Sequence, residues 1–280
     1  MNRFFLIVSI FTVLISGCGR HNDESQLSFI SFNIRLGSDW SRGQDSLNYW
    51  DYRKEAVLRM ISQENPDAIG MQEVLPNQLQ YLDSALAEYG RIGVGREDGK
   101  EEGESMAVFY KKDRFELVKS HTYWLSETPD SVSMGWDAAC FRTVTMVLLK
   151  DKKTQREMLY MNTHLDHVSA IARAESMKLL TRLAKEWVSE DTPLLLGGDM
   201  NTSADDTIFN TLIACGFDKA RDVAEVSDNE ITYNAFGKEP PKQIDHYFCR
   251  GLKIKEFHTL NGDYGVPYVS DHYPIKILFE

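Results

Sequence analysis

Pro193-Leu194-Leu195-Leu196-Gly197-Gly198-Asp199-Met200-Asn201 is the stretch from which the fold is read. A short apolar run closed by two glycines reads as a buried strand whose end lets the backbone pass close to another group. Asp199 and Asn201 stand two residues apart, so on extended backbone their side chains project to one side and face one point beyond the strand. In layered α/β proteins that is where ligands bind. A second reading is open from these residues alone: Asp199 and Asn201 lie in a strand-to-helix turn and cap a helix beginning near residues 203–206. The rest of the chain has to decide between the two.

Upstream, residues 157–163 form a strand that runs into Asn162-Thr163-His164-Leu165-Asp166-His167, and helical spacing of Leu180, Leu183, Ala184 and Trp187 predicts a helix over 169–188. Nearer the N-terminus the order is strand 28–35 carrying Asn33, helix 52–64 stopped by Asn65-Pro66-Asp67, strand 68–73 ending on Glu73, and a helix with Pro76 in its first turn and Leu79, Leu82 and Leu86 inward. From residue 91 the pattern turns to short strands, predicted over 93–95, 106–110, 115–118 and 141–149. Downstream a helix is expected near 205–215, then strands around 243–249, 252–257 and 274–279. β-α-β-α order followed by runs of strands argues for sheets covered by helices. Asn33, Glu73, His164, Asp199, Asn201, Asp245, Asp271 and His272 all fall at strand ends. A core built only for stability has no use for so many polar groups in equivalent places.

The 280 residues, 42% hydrophobic and 26% charged, suffice for one large domain, expected over 27–280. Residues 1–17 read as a signal peptide: Arg3, an apolar run too short to span a bilayer, then small residues before Cys18 that resemble a bacterial lipobox. Cys18 is then the lipidated residue and 18–26 a polar tether, which places the protein in a bacterial cell envelope, outside the cytoplasm, with membrane contact through the lipid only. Cys140, Cys215 and Cys249 remain, an odd and widely spaced set expected as free buried thiols. The net charge of −11 and the absence of long Lys/Arg runs argue against a grip on long nucleic acid. Fields are screened beyond about 8 Å at physiological salt, so a locally positive pocket for a small anion is compatible with that charge. A monomer with no stable nucleic-acid complex is expected.

Six ordered pieces, Ser31-Phe32-Asn33-Ile34, Met71-Gln72-Glu73-Val74, Asn162-Thr163-His164-Leu165, Gly198-Asp199-Met200-Asn201, Gln243-Ile244-Asp245-His246 and Ser270-Asp271-His272, resemble the endonuclease/exonuclease/phosphatase superfamily that includes deoxyribonuclease I. The segment 135–142 resembles an uncharacterised secreted bacterial branch of it. His246 stands where the superfamily often has Tyr. The resemblance implies a four-layered α/β sandwich, two mainly antiparallel sheets flanked by helices, and hydrolysis of a phosphate ester with Mg²⁺ or Mn²⁺.

The residue types suit that chemistry. Water must attack an anion, and a hard cation held by hard oxygen ligands neutralises it. By the resemblance, Glu73 is the main metal ligand, with the Asn33 amide oxygen and Asp271 beside it. His272 is the candidate general base, oriented by Asp245, with Asp199 the competing proton acceptor. Asn201 holds phosphate or water, and His164 donates to a phosphate oxygen. Glu104 is expected to orient His164, by analogy with deoxyribonuclease I. Arg142, on an apolar strand, is either a phosphate clamp or half of a buried ion pair. His164-x-x-His167 lacks the helix that brings zinc ligands together, so Asp166 and His167 are expected at the substrate rim. The aromatic residues Trp40, Tyr49, Trp50, Trp124 and Trp136 belong to the core or stack on substrate. The leading reading is a phosphohydrolase acting on a small phosphomonoester or phosphodiester. A nuclease and a non-catalytic surface lipoprotein are the alternatives.

Overall fold

A computed structural model describes residues 26–38 and 48–280. The signal peptide, Cys18 and nearly all of the tether lie outside the described residues, as does Trp40. Two sheets stack face to face. The first has the order β10-β12-β13-β1-β2-β4-β3, with β1 Leu27–Asn33, β2 Ala68–Val74, β3 Tyr89–Ile92, β4 Ser105–Lys111, β10 Val226–Ser227, β12 Ile254–Thr259 and β13 Ile275–Phe279. The second has the order β5-β6-β7-β8-β11-β9, with β5 Phe115–Trp124, β6 Thr143–Asp151, β7 Glu157–His164, β8 Leu194–Asp199, β9 Asp218–Lys219 and β11 Asp245–Arg250. Helices α1 Trp50–Glu64 and α2 Pro76–Ala85 pack on the first sheet, and α3 Ala170–Trp187 packs on the second. Pairing is antiparallel except β1 with β2, β7 with β8 and β10 with β12. The expected sandwich of two mainly antiparallel sheets is the architecture found.

Three apolar layers follow from strand alternation. Ile30 and Phe32 of β1 pack with Val57 and Met60 of α1, while Leu196 of β8 packs with Met177 and Leu180 of α3. The opposite faces meet between the sheets, where Phe29 sets its ring edge-on to Phe115, Tyr160 and Phe279. Along this inner face β1, β7, β8 and β11 change character in the same direction. In β1 it reads Leu27, Phe29, Ser31, Asn33; in β7 Tyr160, Asn162, His164; in β8 Leu195, Gly197, Asp199; in β11, running the other way, Cys249, Tyr247, Asp245. The inter-sheet core is thus apolar for most of its length and polar at one end.

A buried polar tie marks the transition. Gln72 Nε2 donates to Asn162 Oδ1 at 2.7 Å across the sheets, and Asn162 Nδ2 donates to the carbonyls of Met71 (2.9 Å) and Ala107 (3.0 Å). Both side chains are fully buried, and each bond satisfies a group that would otherwise be stranded away from water.

Several expected elements differ. The strand placed at 93–95 is instead Tyr89–Ile92, because Gly93 turns to φ +129 and only Gly95 bridges back, to Ser105. β5 continues to Trp124 through an irregularity between Leu117 and Lys119. β6 starts at Thr143, which leaves Arg142 in the preceding loop. In place of a helix over 205–215 there are a 3-10 turn, Thr207–Phe209, and a short α4, Asn210–Ile213. Asp206 caps that turn by accepting from Ile208 N. The three described cysteines are free, but only Cys249 is buried; Cys140 and Cys215 are partly exposed. Tyr49, Trp50 and Trp124 are buried and Trp136 is half-buried, and none of the four lines the pocket described next.

Candidate active site

The polar end of the inter-sheet core opens into a pocket of about 440 Å³ lined by Arg35, Glu73, Arg96, Glu104, Arg142, His164, His167, Asp199, Asn201, Tyr233, Lys242, Asp271 and His272, among others. Strand alternation brings His164 and Asp199 to its wall, with Asn33 and Asp245 just behind, in contact with Asp199 and His272. Glu73 is the exception. Ala68, Gly70 and Gln72 face inward, so regular alternation would turn Glu73 toward the helices. A bulge between Met71 and Val74 and a left-handed backbone at Glu73, φ 63, bring its carboxylate back into the site. A non-glycine residue in that region stores strain, which occurs most often where function needs a side chain re-aimed. Asn201 also is left-handed, φ 51. Before it, Gly198 runs at φ +151 with the space for a Cβ only 1.9 Å from Thr163 O, so β8 lies against β7 more closely than any other residue permits.

The carboxylates and amides link in a chain of short contacts. Asn33 Nδ2 donates to Glu73 Oε1 and to Asp199 Oδ2, both at 3.0 Å, while its oxygen accepts from Arg35 N. Asp199 Oδ2 lies 3.6 Å from His272 Nε2, and His272 Nδ1 lies 2.8 Å from Asp245 Oδ2. Glu73 and His272, from opposite ends of the chain, therefore share one site. Asp245 and Asp199 are directly paired across β11 and β8.

Electrostatics separates the roles. Burial alone drives the His272 imidazolium toward neutrality, but Asp245 and Asp199 outweigh it and lift its pKa to about 10. His272 therefore carries a proton at neutral pH. Asp199 is pushed up to about 7 by burial and by neighbouring Asp245, although His272 works in the opposite sense. His164 is driven well below its ordinary value by burial and by Arg142 and Arg96, so it is neutral. Asn201 Nδ2 donates to Leu165 O and faces His164 Nε2 at 2.9 Å. The same Nε2 lies 3.3 Å from Asp199 Oδ2, and His164 Nδ1 is buried with no hydrogen-bond partner among the described residues. His164 thus lines the pocket between Asn201 and Asp199.

Two further expectations change. Glu104 does not bond His164. It forms a two-pronged pair with Arg96, both contacts 2.7 Å, because a fixed guanidinium fork beside a nearly buried carboxylate outcompetes a neutral imidazole. Burial, with the Glu73 charge nearby, raises Glu104 to about 7. Arg142 combines the two roles weighed for it: it lines the pocket, and its Nε lies 3.4 Å from buried Asp166 while Nη2 donates to His167 Nδ1 at 2.9 Å. Asp166 also accepts from the backbone of Ala139, Val168 and Ser169, and so fastens the Arg142 loop to the start of α3. His246 points away from the pocket, donates to Thr202 O and sets its ring against Phe209, so its presence beside Asp245 leaves the site intact.

Arg35, Arg96, Tyr233 and Lys242 were not anticipated. Tyr233 sets its ring edge-on to His272 at 5.0 Å, and no motif surrounds it in the sequence. Arg35 lies 3.8 Å from Glu73 and 3.5 Å from Asp271. Its charge two residues beyond Asn33 was a visible signal, because a charged residue continuing a buried strand needs an acidic partner.

A divalent cation fits the Glu73 and Asp271 side of the site. Two nearly buried carboxylates there face the partly exposed guanidinium of Arg35 as their shared cation, and both offer the hard oxygen atoms that Mg²⁺ or Mn²⁺ takes. Asn33 turns its nitrogen toward Glu73, so ligation through its oxygen requires the amide to turn over. Asp199, Asp245 and His272 also lie within 4.8 Å of one another. There the protonated imidazole already supplies the positive charge.

A two-sheet sandwich with this set of carboxylates, amides and imidazoles at one end is the framework of a phosphoric ester hydrolase. The chain belongs to the Endonuclease/Exonuclease/phosphatase family, whose model matches residues 30–272. It is similar to the endonuclease/exonuclease/phosphatase from Bacteroides vulgatus, with 38% identity, 91% of this chain and 99% of that one covered, and TM-score 0.85. It is similar also to the Bacteroides thetaiotaomicron mannosyl-6-phosphatase Bt3783, with 30% identity, the same coverage and TM-score 0.85. An uncharacterised protein of Acanthamoeba polyphaga mimivirus is 25% identical over 84% of this chain and 94% of its own length.

Proposed function

We propose that the protein is a Mg²⁺- or Mn²⁺-dependent phosphatase of a small phosphomonoester. The observation that carries this reading is the pocket. At about 440 Å³ it has the size of a small-molecule site, and Glu73, His164, Asp199, Asn201, Asp271 and His272 all line it. The net charge of −11 points away from a nucleic-acid polymer, and the similarity to a mannosyl-6-phosphatase adds support.

A cation held by Glu73 and Asp271 would neutralise phosphate oxygens and stabilise the departing alkoxide. The chain's own residues do the rest. His272, fixed by Asp245 and already protonated, donates from Nε2 to the substrate phosphate. Since an imidazolium cannot take a second proton, Asp199 accepts the proton of the attacking water, and the rise in its pKa suits that task. Asn33 and the Asn201 backbone hold the two Asp199 oxygens in place. We further propose that the enzyme works from the cell envelope, anchored by lipid on Cys18.

The test is a panel of phosphomonoesters and phosphodiesters assayed with and without Mg²⁺ and Mn²⁺, in the wild type and in Glu73→Ala and His272→Ala. Metal-dependent release of inorganic phosphate from monoesters, lost in both variants, is expected. Cleavage of diesters or DNA alone overturns the monoester reading, and full activity in either variant overturns the site.

A further inference from the structure

The groups used so far occupy one part of the pocket. The cavity runs across the strand ends, from Asp271, His272 and Tyr233 to Arg96, Glu104 and Arg142 beside β4 and β6. At this second flank the Arg96–Glu104 fork uses one lone pair on each carboxylate oxygen and leaves a second on each free to accept. Both side chains are nine-tenths buried, and Arg96 is fixed further by Trp124 Nε1, which donates to its carbonyl at 2.8 Å. Arg142 has its own carboxylate, Asp166, and its bond to His167 Nδ1 leaves the His167 proton on Nε2, because a guanidinium only donates.

Each guanidinium on this flank is thus matched by an acid. A second phosphate or carboxylate would need unmatched positive charge. What the flank presents instead is paired acceptors on Glu104 next to donors on Arg96, Arg142 and His167, on side chains held in place. That alternation is complementary to neighbouring hydroxyl groups, each of which both donates and accepts.

We propose that the Arg96–Glu104 pair is a hydroxyl-binding subsite that selects a polyol, such as a sugar, as the alcohol part of the phosphomonoester. The inference rests on the monoester reading above. Glu104 accepts from two adjacent hydroxyls while Arg96 holds its carboxylate in register.

The experiment compares kcat/KM for a hexose phosphate and for phenyl phosphate in the wild type, Glu104→Gln and Arg96→Lys, and measures competition by the free hexose against the wild type. The wild type should favour the hexose ester, and the ratio of the two kcat/KM values should fall roughly ten- to hundredfold in Glu104→Gln, mainly through KM for the sugar ester. Free hexose should compete where cyclohexanol does not. A ratio unchanged in both variants, or no competition by free hexose, overturns the subsite while leaving the monoester reading intact. Hydrolysis of neither ester overturns both.

Discussion

Asp245 and His272 are joined across the two sheets, Oδ2 to Nδ1 at 2.8 Å, one residue opening β11 and the other standing just before β13. The contact holds the imidazole in a fixed orientation and, with Asp199, keeps it charged. In Asp245→Asn the strongest of the supporting charges is removed while burial remains, so the pKa of His272 falls. Titration of the ring in the metal-free protein by NMR should show wild-type His272 protonated through pH 8 and the variant titrating at lower pH. The same substitution should lower kcat by about 10²- to 10⁴-fold. An unshifted ring titration would remove Asp245 from this role.

Glu73 is expected to anchor the cation. In Glu73→Gln activity should drop at least about a hundredfold, and the metal concentration giving half-maximal rate should rise. The measurement is initial rate against Mg²⁺ and Mn²⁺ concentration. A variant with the wild-type metal dependence would show that the carboxylate lies outside the coordination sphere.

The polar tie between the sheets should be costly to cut. Asn162→Ala removes the partner of Gln72 Nε2 and of the Met71 and Ala107 carbonyls, all buried. Stability to urea should fall by about 2–4 kcal/mol. Asn162→Leu, which fills the volume but supplies no partner, should fare no better than the alanine variant.

His246 gives a pH dependence of stability with a definite sign. Burial lowers its pKa to about 4, from an ordinary value of 6.5. The unfolded chain therefore binds a proton below about pH 6.5 that the folded protein refuses until about pH 4, and stability present at pH 7 is lost as pH falls through that window. The loss attributable to this group is on the order of 3 kcal/mol. His246→Phe, with its ring against Phe209 and Phe248, should flatten the slope of unfolding free energy between pH 7 and pH 4. An equal slope in both proteins would refute the assignment.

The layered fold was legible because its signals are local: apolar runs, glycine pairs and polar residues at strand ends survive in the linear order. Asn33, Glu73, His164, Asp199, Asn201, Asp245, Asp271 and His272 were read from such positions, and the sandwich brings them together. The partnerships were not legible. Glu104 chose Arg96 over His164, a competition between two side chains whose outcome depends on three-dimensional reach. The orientation of the Asn33 amide is fixed by the backbone N–H of Arg35, which no spacing reveals. Tyr233 arrives through a loop that bridges to Lys242 and His272, with no apolar period to announce it. The helix expected over 205–215 shrank because Asp206 closes a tight turn there.

The site is divided between the sheets. Asn33 and Glu73 belong to one, with Asp271 and His272 just ahead of β13 in the same sheet, whereas His164, Asp199 and Asp245 belong to the other. Catalysis is therefore a property of a seam. Any loosening that lets one sheet slide over the other separates Asp199, the proposed proton acceptor, from the Glu73 carboxylate proposed to hold the cation, even while every strand keeps its hydrogen-bonded neighbours. Heat should silence such an enzyme before it melts it, and turnover becomes a more sensitive gauge of how the two halves are seated than any measure of secondary structure.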